Sequence, residues 1–143
     1  MTSYAEIFNR ALRSIDDPSL AQWPEEELSN TLYGWLQSTI AKVPQLRAVT
    51  ADRDDFDPLD TDDLGFVEDL TDMAKEILAL GMAREWLAPQ IASTTLTWQR
   101  YSKKEGYSQK EHLSGLMELD EKYKLEIKKL LRDNTYIDNE YFD

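Results

Sequence analysis

The chain has 143 residues, enough for one domain with a core of its own. Its 28 Asp and Glu against 16 Lys and Arg leave a net charge of −12, which argues against a nucleic-acid surface, since phosphate recognition needs clustered cations. It has no cysteine, so disulfide and thiol chemistry are excluded.

Neither a signal-like start nor a run near the ~20 apolar residues of a membrane span is present, so the expectation is a soluble protein made in a cytoplasm, with no membrane partner. The charge is uneven. Residues 52–72 hold nine Asp, one Glu and one Arg, residues 100–132 hold nine basic against six acidic side chains, and residues 133–143 carry −4. An acidic middle, a mildly basic hairpin and an acidic end suit head-to-tail contacts between copies; solvated faces that maintain solubility are the plain alternative.

In chain order, Ser3-Tyr4-Ala5-Glu6 reads as a capping box, with Ile7, Phe8, Ala11, Leu12 and Ile15 behind it at helical spacing. Asp16-Asp17-Pro18 ends that helix. A second helix starts at Trp23-Pro24, where three glutamates suit the first turn, and its stripe is Leu28, Leu32, Trp35, Leu36, Ile40 and Val43. Pro44 stops it, and Gly34 is read as a close-packing position. Residues 45–70 show no periodic element and read as a long acidic loop with apolar pegs at Phe56, Leu59, Leu64, Phe66 and Val67.

Within that loop, Asp60, Asp62, Gly65, Val67 and Glu68 match five positions of a calcium loop. Leu64 and Thr71 stand where two ligands belong, so a plain acidic loop is the preferred reading and no metal is assigned. Residues 71–91 are apolar or small on nearly every side, which predicts an enclosed helix over 71–88, capped by Thr71 and kinked or broken at Pro89. Residues 90–104 fit either a strand or a helix, with a helix to about Ser102 preferred because a lone strand has no partner. Lys103-Lys104-Glu105-Gly106 reads as a turn, and Ser108-Gln109-Lys110-Glu111 as the capping box of a last helix with a seam at Leu113, Leu116, Asp120, Tyr123, Ile127 and Leu130. Asp120 on that seam is read first as the edge of the core, with a pair with Arg84 or with a neighbouring copy as the alternatives. The end, DNTYIDNEYFD, reads as a tail whose aromatics anchor it to its own body or to a neighbour's groove.

The expectation is therefore an all-α bundle of four to five helices, one domain over 1–132 and a C-terminal tail over 133–143. His112 is the only histidine and reads as a partly exposed helix residue, and no glycine-rich phosphate loop is present. No catalytic residue, metal or cofactor is assigned, and the chain is not read as an enzyme. The tryptophans read as core or interface anchors.

A resemblance adds to this. Asp69-Leu70-Thr71-Asp72, Glu76-Ile77-Leu78-Ala79, Glu85-Trp86-Leu87-Ala88-Pro89-Gln90-Ile91, and Tyr107-Ser108-Gln109 with His112-Leu113 resemble small proteins encoded among the head and neck genes of tailed bacteriophages. Leu28, Gly34-Trp35-Leu36 and Ile40-Ala41-Lys42 fit more loosely. The resemblance covers about the last 75 residues and its motifs are structural, not catalytic. It implies a virion protein of the neck, a head–tail connector (adaptor) forming a ring below the portal. Its partners would be copies of itself, the portal and the tail or neck proteins, with DNA only as passing cargo. The expected contact sets Asp60, Asp62, Asp63, Tyr136, Tyr141 and Phe142 of one copy against Lys103, Lys104 and Lys110 of the next. The competing readings are a non-virion acidic helical protein that binds or helps assembly, and a calcium-modulated module.

Overall fold

The computed structural model describes residues 1–15, 17–100 and 103–142, with side chains described for all of these except 97–100, 103–109 and 134–142. The fold is all-α, with five helices and one two-stranded sheet of minimal size. The elements are β1 (Thr2–Ser3), α1 (Tyr4–Ser14), α2 (Glu25–Lys42), α3 (Arg47–Thr50), β2 (Gly65–Phe66), α4 (Asp72–Arg100) and α5 (Lys103–Phe142).

Helix α4 is the centre, touched by α1, α2 and α5. Residues 77–83 are buried without interruption, which a helix with one apolar stripe cannot achieve. Thr71 Oγ1 accepts from the Ala74 amide at 3.1 Å and so caps the helix as its sequence predicts. Of the expected kink or break at Pro89 the break is absent: α4 continues to Arg100, so residues 90–100 are helix, as preferred, and not a separate element. The local loss of one hydrogen bond at proline is outweighed by tertiary packing on both sides.

Helix α1 buries Tyr4, Ile7, Phe8 and Ala11. Ser3 accepts from the Glu6 amide at 3.2 Å, which is half of the predicted capping box. The Glu6 carboxylate does not reach back; it pairs with Lys75 of α4 at 2.6 Å. Helix α2 opens after Pro24 with Glu25, Glu26 and Glu27 in its first turn and buries Leu32, Leu36 and Thr39.

The two glycines exchange roles relative to the sequence reading. A Cβ at Gly34 would meet nothing within 4 Å, whereas one at Gly81 would lie 2.2 Å from Thr39 Cγ2. The close approach of α2 to α4 is therefore at Gly81.

The segment 45–70 holds more order than its lack of periodicity suggests. A 3₁₀ turn at Pro44–Leu46 leads into α3, and β2 pairs antiparallel with β1, Thr2 facing Phe66 and Ser3 facing Gly65. A Cβ at Gly65 would sit 2.0 Å from the Thr2 carbonyl oxygen, so this glycine serves the strand pairing. Thr2 Oγ1 also accepts from the Leu70 amide at 2.9 Å. Of the five apolar pegs, Phe66 is fully buried and Phe56 and Leu64 pack on the core, while Leu59 and Val67 face solvent.

Helix α5 folds back on α4, to which the Arg84–Asp120 pair fastens it. It begins at Lys103, so residues 103–106 are helical and not the predicted turn, and Ser108 lies inside the helix instead of capping it. At its other end the backbone stays helical to Phe142, through the stretch read as a tail.

Candidate functional site

The N-terminal clasp fixes the acidic loop to the body. The Tyr4 amide donates to the Leu64 carbonyl at 2.9 Å, the Ala5 amide to Thr61 at 3.0 Å and the Asp54 amide to Gly65 at 2.8 Å. Beneath it lies an aromatic cluster in which Tyr33 and Phe56 stack 4.0 Å apart and Tyr4 makes edge contacts with Tyr33, Phe56 and Phe66. The Tyr4 hydroxyl donates to the Asp54 carbonyl. Burial, reinforced by Tyr33, pushes its pKa up to about 12.

The predicted interface residues Asp60, Asp62 and Asp63 do come together at this loop. Partial desolvation, then a hydrogen bond and repulsion from Asp63 and repulsion from Asp57 and Asp62, raises the Asp60 carboxyl above the usual carboxylate range. Among the described residues no three His, Asp or Glu side chains are placed to hold a metal ion. Lys110 is exposed on α5, in a shallow depression with Glu111, Ser114, Gly115 and Glu118, and His112 is exposed next to it in sequence. The side chains of Lys103, Lys104, Tyr136, Tyr141 and Phe142 lie outside the described residues.

The concavity with most chemical content is one the sequence reading did not single out. It is a groove of about 760 Å³ between the end of α2, the middle of α4 and the second half of α5. From α4 come Gly81, Arg84, Glu85, Ala88, Ile91 and Ala92, a stripe at three- and four-residue spacing whose small members keep the floor low. From α5 come Asp120, Lys124, Ile127, Lys128 and Leu131 at the same spacing. Val43 and Pro44, where proline ends α2, close the third side.

Polar groups frame this apolar interior. Arg84 holds Asp120 through two bonds, at 2.8 and 3.3 Å, and this pairing raises the guanidinium pKa further. Lys42 at the end of α2 pairs with Glu85. Lys124 and Lys128, one turn apart on α5, have no ion-pair partner among the described residues. On α4 one residue beyond the Lys42–Glu85 pair, Trp86 donates its indole N–H to Asp17 at 3.2 Å. That bond and a stronger one from Ser19 hold the Asp17 carboxyl below its usual range.

The groove thus combines an apolar floor, two balanced ion pairs and two lysines without a described partner, a chemistry complementary to apolar and negatively charged groups. One signal for it was in the sequence: Gly81, Ala88 and Ala92 share a helix face on which large side chains would otherwise stand. Comparison with known proteins finds no matching family model, no matching curated protein and no matching solved structure. No helix among the described residues is long and apolar enough to cross a membrane.

Proposed function

We propose that this chain is a structural protein of a tailed-phage virion, a head–tail connector that repeats as a ring between portal and tail. It is made in the host cytoplasm and retained in the neck. The observation that carries the reading is the separation of two unlike surfaces on one helical body: a clasped acidic loop and an apolar groove with unpaired lysines. Unlike surfaces on the same protomer make heterologous contacts, which generate rings where the rotation closes. The resemblance of residues 69–91 to phage neck proteins supports the same reading, as does an acidic surface that does not hold passing DNA. The reading requires no catalysis and no cofactor, and its partners are copies of itself and the adjoining portal and tail proteins.

Mass spectrometry of gradient-purified particles tests this directly. The chain is expected to remain in particles in a fixed ratio to portal subunits, and a deletion is expected to leave filled heads without tails. A chain that is abundant in the lysate but missing from particles would overturn the reading in favour of a non-virion assembly helper.

A further inference from the structure

We propose that the groove between α2, α4 and α5 receives the C-terminal segment, residues 134–143, of a second copy of this chain. The assignment deepens the connector reading, on which its biological setting rests, by naming the contact that repeats.

Three observations carry it. The first is chemical fit: the segment NTYIDNEYFD carries Asp138, Glu140 and Asp143 together with Tyr136, Ile137, Tyr141 and Phe142. The groove offers the complement, Lys124 and Lys128 over a floor that includes Ala88, Ile91, Ala92 and Leu131. The second is that these lysines are uncommitted. Arg84 and Lys42 are each neutralised by a partner, so the groove as a whole has charge left to match.

The third is reach. Helix α5 runs without a break from Lys103 to Phe142 and itself forms one wall of the groove as far as Leu131. At about 1.5 Å per residue the helix carries residue 142 roughly 16 Å beyond Leu131 along its axis. A segment borne away from its own groove can fill only that of another copy. The groove, of about 760 Å³, is of the size that buries a few side chains, so one face of the segment and not its whole bulk enters it. Because donor segment and acceptor groove are different surfaces, a pair of copies keeps one segment and one groove free, and association propagates.

The test is complementation between two full-length variants, Lys124→Glu/Lys128→Glu in the groove and Ile137→Asp/Tyr141→Asp in the segment. Circular dichroism establishes that each is folded. By sedimentation at about 100 μM, a concentration that populates even weak contacts, the unaltered chain is expected to associate beyond dimers. Each variant alone is expected to associate at least tenfold more weakly. Mixed in equal amounts they restore one good contact and stop at a dimer, and this dimer weakens with added salt.

An unaltered chain that stays monomeric, or variants that fail to complement, would overturn the assignment. So would segment variants that assemble normally while groove variants do not, because the groove would then take another part of the partner copy. The two proposals fail separately. Complementing variants of a chain missing from particles would leave this contact standing and remove the connector reading. Particles that retain the segment variant in intact rings would do the reverse.

Discussion

A methyl group added at position 81 would sit 2.2 Å from Thr39 Cγ2 and 2.9 Å from its Oγ1, and Thr39 cannot swing aside freely because its hydroxyl donates to the Trp35 carbonyl at 2.9 Å. Gly81→Ala is therefore expected to destabilise by about 1–2 kcal/mol, the overpacking penalty exceeding the gain in helix propensity. Adding Thr39→Ala removes both clashing atoms and should recover most of the loss in urea denaturation. Gly34→Ala meets open space in an exposed helix position and should stabilise by about 0.5–1 kcal/mol. A sequence displays both glycines alike, because whether Gly34 of α2 or Gly81 of α4 lies at the contact between these helices depends on how each is rotated, and that is settled only when the helices pack. Tyr4 offers a pH test at the same scale. Its hydroxyl ionises near 10 in the unfolded chain and at about 12 in the fold, so between those values the unfolded state releases one more proton and stability falls as pH rises. Tyr4→Phe should make that alkaline slope shallower in melts taken from pH 9 to 12, leaving the part that the buried Tyr123 hydroxyl, also pushed up, contributes.

Among the elements, α4 was legible because its apolar residues leave no polar face, and α1 because Ser3 and the spacing from Ile7 mark its start and its buried side. Pro89 misled for a local reason: proline removes one donor and crowds the Glu85 carbonyl, while the packing of a 29-residue helix lies beyond a window of five. Since Pro89 is exposed, Pro89→Ala should restore that bond and raise the unfolding free energy in urea by about 1 kcal/mol or more, below the full ~3 kcal/mol of a proline in a model helix. The clasp was illegible because strands of two residues carry no alternation to read. For Asp120 the edge of the core was the preferred reading and Arg84 or a neighbouring copy the alternatives; the fold selects Arg84. Arg84 and Asp120 are each about a third exposed, so a double-mutant cycle with Arg84→Ala and Asp120→Ala should give a coupling of about 1 kcal/mol, reduced in high salt.

On the scale of the whole molecule, the all-α class was legible in the sequence and the groove was not. A groove is a relation between three helices, and each contributes residues that look ordinary alone: Val43 ends one apolar stripe, Ile91 continues another, and Lys124 and Lys128 read as solvated faces. Only the fold shows that the Arg84 and Lys42 charges are matched while those two lysines are not. That imbalance is what turns a surface furrow into a candidate joint between subunits.

The clasp has one more consequence. Residues 2–5 are stitched to residues 61–66 by backbone bonds, and Phe56 and Phe66 are wedged into the rings of Tyr4 and Tyr33. Between those stitches Leu59 stands out in solvent on an open bend. A protease that cuts there severs the covalent thread without pulling a single wedge, so the two fragments should elute together in buffer and part only in denaturant.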